Sequence, residues 1–265
     1  MADTADTADT AAIAAVAVVL RAAGSVFAED EARLLVEAAP DDADLDRLVR
    51  QRAAGIPLEH LLGWVEFDGL RIAVEPGVFV PRRRTELLVR EAARRAPPRA
   101  VVVELCAGAG AVAAALTARL EGPEVYAVDI DQVAVRCARR NLPGGHVYAG
   151  DLDAPLPRRL EHRVDVLVAN APYVPTGEIG LMPAEARDYE PRVALDGGAD
   201  GLDVARRVVA VAPRWLSPAG VVLIETSERQ APALVEAAAT TGLRPVVVHD
   251  ENTGGTAVLA STLRR

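Results

Sequence analysis

Between Ala100 and Asn170 the chain repeats one pattern, a short continuously apolar run followed by a longer amphipathic one. AVVVEL leads to VAAALTARL, EVYAVD to QVAVRCARRN, and HVYAG to the last run, VDVLVAN. A strand that is apolar on both faces has no side to turn to water, so such strands belong in a parallel sheet with helices packed over both faces. The pattern continues with a helix at Asp203 to Ala212, the strand GVVLIE, a helix at Gln230 to Thr241, and the strands RPVVVHDE and GTAVLAST. Only Asn252 to Gly255 join the last two. That connection is too short for a crossover helix, so they should pair antiparallel. The predicted fold class is α/β, a Rossmann-like sheet with an antiparallel end.

Upstream the pattern is different. Ala11 to Ala23, Asp30 to Ala39 and Asp44 to Ala54 carry apolar residues at helical spacing, closed by Gly24, Pro40 and Gly55. The expected organisation is a solvated tail over 1–10 (the repeat MADTADTADT), a helical domain over 11–62, a β-hairpin linker over 63–84 turning at Asp68-Gly69, and the α/β domain over 85–265, with a helix entered at about Thr85. The apolar run AAIAAVAVVL follows acidic residues and is too short to span a bilayer, which argues against a signal peptide or anchor and for a cytoplasmic protein. Cys106 and Cys137 have no pairing spacing, and no Cys/His cluster suggests a metal. The net charge of -9 argues against stable nucleic-acid binding, which depends on clustered cations that displace counterions.

In an open parallel sheet, ligands bind beyond the carboxyl ends of the strands where the strand order reverses. The first of these strands ends in Cys106, Ala107, Gly108, Ala109 and Gly110, small residues that let backbone approach a ligand; a plain strand-to-helix turn has the same look. The second ends in Asp129, 19 residues beyond Gly110, placed to accept both hydroxyls of a ribose. Either Asp129 or Asp131 could instead cap the next helix. The third ends near Asp151 and Leu152, an acid for an adenine amino group and an apolar side chain for its ring. Both a nicotinamide dinucleotide and S-adenosylmethionine carry adenosine; the closing antiparallel pair fits the second better.

At the fourth strand end, Asn170, Ala171, Pro172 and Tyr173 stand together. An asparagine oxygen can accept one hydrogen of an NH2 group, and a backbone carbonyl in the Ala171-Pro172 turn the other, which aims the nitrogen at a third point. Tyr173 can press a flat amide or a base from one face. Positioning and polarisation then carry the catalysis, with Asn170 and Tyr173 the catalytic residues. Asn and Pro are also ordinary turn formers; three neighbouring strand ends suited to a cofactor favour the functional reading.

The stretches GIPLEHLLG, GVFVPRRRTE, VVVELCAGAGAVA, YAVDIDQVAVRCARRN, VANAPYVP, DYEPRVALDGGADGLDVAR and GVVLIE occur in that order from Gly55 to about Thr262. In this the chain resembles the protein-(glutamine-N5) methyltransferase family, the HemK-like enzymes that methylate the GGQ glutamine of peptide chain release factors. The resemblance implies a class I S-adenosylmethionine-dependent fold of seven strands behind a helical domain that recognises the protein substrate. It places the cofactor loop on Cys106 to Gly110, the ribose acid on Asp129, the adenine contacts on Asp151 and Leu152, and the amide clamp on Asn170 to Tyr173, with Asn170 also beside the cofactor. Glu86, Glu190 and Pro191 are implied to help close the site, and Arg82 to Arg84 read as a solvated helix entrance. No metal is implied, and a monomer is the favoured form.

The chain departs from the family pattern in three places. Ala171 stands where the family has a first proline, Cys106 where it has a glycine, and VPRRRTE replaces VPRPxTE. Ala171 keeps its carbonyl and an extended bias from the following proline, while Cys106 is strained if that position needs a positive φ. Two other readings compete with glutamine methylation. One is N-methylation of adenine in DNA or RNA, since an exocyclic amine fits the same clamp. The other is a catalytically inactive module that binds S-adenosylmethionine.

Overall fold

The computed structural model describes residues 2–262, with side chains described from Asp9 onward. Four helices come first: α1 (Ala2–Ala22), α2 (Ala28–Ala38), α3 (Asp42–Ala53) and α4 (Leu58–Leu62). The strands β1 (Trp64–Phe67) and β2 (Leu70–Ala73) follow, then α5 (Glu86–Ala93), β3 (Val101–Leu105), α6 (Ala111–Arg119), β4 (Glu124–Asp129), α7 (Gln132–Asn141), β5 (His146–Ala149) and β6 (Val164–Ala169). The chain closes with α8 (Ala184–Tyr189), α9 (Asp203–Trp215), β7 (Leu216–Thr226), α10 (Ala231–Thr240), β8 (Arg244–Asp250) and β9 (Gly255–Ser261). Among the described residues no helix is long and apolar enough to cross a membrane. The side chains of the tail expected over 1–10 lie, as far as residue 8, outside the described ones.

The chain divides into two compact units. The first comprises residues 1–64 together with 183–189. Its core is built from one face of each of the first three helices, where Leu20, Ala28, Ala32, Leu35 and Leu48 are buried together. Asp41 caps α3 by accepting the Asp44 N–H at 2.9 Å. Arg52 ties the unit internally, bonding Glu31 at 2.8 Å and Glu185 at 3.3 Å. Tyr189 donates its hydroxyl to the Ala54 carbonyl. These contacts explain why residues 183–189, far along the sequence, belong with the helices.

The second unit holds a seven-stranded sheet in the order β5-β4-β3-β6-β7-β9-β8. The first five strands are parallel, and β9 runs antiparallel to both β7 and β8, as the short 252–255 connection requires. From β3 the chain winds outward to β4 and β5, then returns to place β6 on the other side of β3. The order therefore reverses between β3 and β6, whose last residues, Leu105 and Ala169, are register partners. Alternate side chains of β3 feed separate cores: Val102 packs with α5 and α6, while Val101, Val103 and Leu105 pack toward α9 and α10. The β1–β2 hairpin turns with φ of 52° at Asp68 and 76° at Gly69, the two positive values a two-residue turn needs. Phe67, Ile72 and Val74 join the same core as Val102, so this hairpin packs within the second unit.

Candidate active site

The strand-order reversal creates a crevice at the ends of β3 and β6. The chain leaves β3 through Cys106 at φ 55° and continues through Gly108 at 53° and Gly110 at 74°. Cys106 thus holds a left-handed conformation that costs an L-residue about 1–2 kcal/mol, the strain its sequence position foreshadowed. A side chain added at Gly108 would meet no atom within 4 Å, so the loop presents its backbone to open space.

Asp129 anchors this loop. Its Oδ2 accepts the Gly108 N–H at 2.7 Å and its Oδ1 the Asp131 N–H at 2.9 Å. Each oxygen keeps a lone pair for a further donor. Burial raises the carboxyl pKa, opposed by the two backbone donors. The cap of α7 is Asp131, which accepts the Val133 N–H at 2.8 Å. That settles which of the two acids does the capping and leaves Asp129 to the loop. Ile130, between them, is 57% exposed, an apolar side chain at the crevice that strand-end reasoning did not single out.

Asp151 lies two residues past β5 and pairs with Arg207 of α9 at 2.6 Å, both side chains about half exposed. A pair so open to water is worth about 0–1 kcal/mol and yields readily to a better partner. Leu152, at φ 48°, is 7% exposed and packs in the core shared with Leu105, with little side-chain surface toward solvent.

Across the crevice, Asn170 donates its Nδ2 to Thr85 Oγ1 at 3.3 Å, which leaves Oδ1 for another donor. Ala171 and Pro172 are buried, and Tyr173 is half-buried. The turn is backed by the glycine-rich stretch Asp196–Gly201. Val174 and this stretch exchange backbone bonds, Val174 N–H to the Leu195 carbonyl and Gly197 N–H to the Val174 carbonyl, both 2.9 Å. A Cβ on Gly197 would lie 2.6 Å from the Pro172 oxygen, so that carbonyl is turned toward the backing loop. The Tyr173 carbonyl accepts Gln230 Nε2 at 2.9 Å, and the same amide reaches the Asp200 carbonyl at 2.9 Å. Ser227 Oγ in turn donates to Gln230 Oε1 at 2.6 Å. The Pro172 and Tyr173 carbonyls both face the backing segments.

The segment expected as a solvated entrance is largely engaged. Arg84 hydrogen-bonds the Tyr173 hydroxyl, lies 5.6 Å over its ring, and bonds Glu225 at 3.1 Å. Glu225 is buried at the end of β7, and burial raises its pKa against the pull of Thr85 and Arg84. Burial also raises the Tyr173 phenol, with the Glu225 charge adding and Arg84 opposing. Arg82 pairs with buried Glu190, whose Oε1 also accepts the Val80 N–H at 3.2 Å. Among the described residues Arg83 alone of the three is exposed without such a pairing. Glu86 accepts the Asp68 N–H at 3.2 Å and so ties the hairpin. Among the described residues no group of three His, Cys, Asp or Glu side chains could hold a metal.

Residues 69–185 match the family model described as the methyltransferase small domain. The chain is 41% identical over 199 residues to the release factor glutamine methyltransferase of Geobacter sulfurreducens, covering 74% of this chain and 69% of that one. It is 40% identical over 215 residues to the release factor glutamine methyltransferase of Mycolicibacterium smegmatis, covering 78% and 76%. A solved methyltransferase from Pyrococcus furiosus shares the fold, with a TM-score of 0.55 at 16% identity over 83% of this chain and 98% of that one.

Proposed function

The chain belongs to the release factor glutamine methyltransferase family, and we propose that it grips a glutamine amide between Asn170 and Tyr173, with S-adenosylmethionine lying along Cys106–Gly110. It is an S-adenosylmethionine-dependent enzyme that methylates protein glutamine. The residues suit that cofactor. Open space lies over Gly108, the Asp129 carboxylate keeps two lone pairs for a ribose diol, and Ile130 offers an apolar face for a base. Asp151 gives up its exposed pairing with Arg207 to take the adenine amino hydrogen, and Leu152 forms the floor beneath the ring.

S-adenosylmethionine supplies an electrophilic methyl group on a sulfonium sulfur. The chain's own task is to aim a weak nucleophile at it. Asn170 Oδ1 and the Ala171 carbonyl accept the two amide hydrogens, fixing the direction of the nitrogen. Accepting those hydrogens also raises electron density on the nitrogen; as the new N–C bond forms the methyl's bond to sulfur would break, its electron pair staying on the resulting thioether, and one amide proton leaves to solvent. Tyr173 covers the flat face of the amide. The observation that carries this reading is the Thr85 bond to Asn170, which commits the asparagine nitrogen and leaves its oxygen as the acceptor.

The proposed substrate is the GGQ glutamine of a peptide chain release factor, recognised through the helical unit of residues 1–64 and 183–189. That substrate works at the ribosome, which puts the enzyme in the cytoplasm. We take it to act as a monomer without a stable nucleic-acid complex, in keeping with its net charge of -9. Incubation with a release factor and S-adenosylmethionine, followed by peptide mass spectrometry, should locate one added methyl on the GGQ glutamine. Asn170→Ala should lower kcat by at least about 100-fold, the scale of removing one transition-state hydrogen bond, while leaving cofactor affinity within twofold. Methyl transfer to adenine in place of glutamine would overturn the reading.

A further inference from the structure

Two adjacent residues before α5 address the two jaws of the amide clamp. Arg84 bonds the Tyr173 hydroxyl and lies over its ring; Thr85 accepts the Asn170 amide nitrogen at 3.3 Å. Arg84 also reaches a buried carboxylate, Glu225 at the end of β7. Arg84 Nε donates to its Oε1 at 3.1 Å. The side chain of Glu225 is 4% exposed and that of Arg84 44%, so the carboxylate is the fixed point and the guanidinium the arm that extends into the crevice.

The clamp needs such an arm for a local reason. Gln230 holds the Tyr173 carbonyl, which fixes the backbone but leaves the ring free to turn about its own side-chain bonds. Ala171 contributes no ring to stiffen the chain between Asn170 and Pro172. We propose that Arg84, anchored on Glu225, is a positioning residue that holds the Tyr173 ring against the amide site and so replaces the rigidity Ala171 lacks. Glu225, through Arg84, sets where the Tyr173 jaw stands. An arginine suits the task because its planar fork can hold a carboxylate with one edge and a phenol with another while its face stacks on the ring.

This proposal rests on the glutamine-methylation reading for its kinetic consequence and not for its structural one, so the test has two arms. In the first, protein labelled with 3-fluorotyrosine gives fluorine resonances from its four tyrosines, and Tyr173→Phe identifies the one of interest. In Arg84→Ala and in Glu225→Gln that resonance should shift and narrow, while those of Tyr126, Tyr148 and Tyr189 stay in place. An unmoved resonance would overturn the proposal. In the second arm, Arg84→Ala should lower kcat about tenfold or more on a GGQ peptide with unchanged S-adenosylmethionine binding by calorimetry, and Arg84→Lys should recover part of the loss. Ala171→Pro should then raise the rate of Arg84→Ala by a larger factor than it raises that of the parent. Equal factors in the two backgrounds would remove the link to Ala171. A parent that transfers no methyl group would end the functional reading, and the fluorine arm would still decide the positioning role.

Discussion

The glycine behind the clamp offers a quantitative check on how the site is held. Gly201 has φ of 79°, and a Cβ added there would fall 2.3 Å from the Tyr173 carbonyl oxygen and 2.3 Å from Gln230 Nε2. These two atoms are themselves bonded at 2.9 Å, so the methyl of Gly201→Ala intrudes on an existing hydrogen bond. The left-handed backbone costs alanine about 1–2 kcal/mol. Displacing the Gln230 amide forfeits its bonds to the Tyr173 and Asp200 carbonyls, about 1 kcal/mol each. The reduced freedom of the unfolded chain returns about 0.4–1 kcal/mol, for a net loss of about 2–3.6 kcal/mol. Gly242→Ala is the control, since its φ of 83° is similar but nothing lies within 4 Å of the added carbon. It should lose about 1.6 kcal/mol or less. Urea unfolding followed by tryptophan fluorescence measures both, and the difference isolates the packing behind Tyr173. Gly201→Ala should also cut methyl transfer at least tenfold with cofactor binding preserved, because the Tyr173 carbonyl is what moves. Equal unfolding midpoints for the two variants would refute the claim that Asp196–Gly201 braces the clamp.

Asp129→Asn offers one oxygen where the carboxylate offers two and turns an NH2 group toward a backbone N–H. The Kd for S-adenosylmethionine should rise about 10- to 100-fold by calorimetry, in line with about 1.5–3 kcal/mol for a hydrogen bond to a charged group. Asp131→Ala should instead cost about 1 kcal/mol of stability as a lost cap, with the Kd nearly unchanged. Buried Glu104, mainly through desolvation, is raised from 4.5 to about 8. It binds its proton more tightly in the folded state, so its contribution is complete below about 4.5 and is lost as pH rises through about 8. Between pH 5 and pH 8 the parent should therefore lose stability relative to Glu104→Gln, by up to about 1.4 kcal/mol per pH unit, as read by urea unfolding at each pH. Parallel pH profiles would contradict the raised value.

The sheet was legible because burial on both faces leaves an unbroken apolar signature, and a connection as short as 252–255 allows only one strand direction. Boundaries were less so: α9 runs to Trp215 through Pro213, beyond the expected stop at Ala212. The strand-end residues of the crevice were legible too, since strand and helix alternation alone brings Cys106, Asp129, Asp151 and Asn170 to one edge. Their supports were not. Thr85 and Asn170 are 85 residues apart, Arg84 and Tyr173 89, and Arg84 and Glu225 141. Nothing in a run such as VPRRRTE distinguishes an arginine that meets a carboxylate folded in from elsewhere from one that meets water. The density of glycine in Asp196–Gly201 was the available signal for the backing loop, because a stretch that admits side chains this poorly is pressed against backbone. Residues 183–189 carried no comparable mark of belonging with the helices of the first unit.

Cys106 and Ala171 bear on whether this site turns over or merely binds. A thiolate at Cys106 would be a nucleophile beside an electrophilic methyl donor and would consume it. Burial raises the pKa of this thiol, and the neighbouring Asp129 carboxylate raises it further, so it stays protonated at neutral pH. A protonated cysteine at the margin of the Leu105 core acts as a small apolar residue, and its cost is the backbone strain at φ 55°. Ala171 likewise removes stiffness and no acceptor, since the carbonyl that faces the amide belongs to the backbone. Every acceptor the proposed chemistry calls on is therefore still in place: the Asp129 carboxylate, Asn170 Oδ1 and the Ala171 carbonyl. What the two substitutions alter is how firmly those groups are held, a property the chain supplies through Asp129 on one side of the crevice and through Gln230 and Glu225 on the other. The proposed clamp is held from three separate segments, by Arg84 and Thr85, by the stretch from Leu195 to Gly201 and by Gln230, support that transfer to an amide would use and that binding S-adenosylmethionine alone would not.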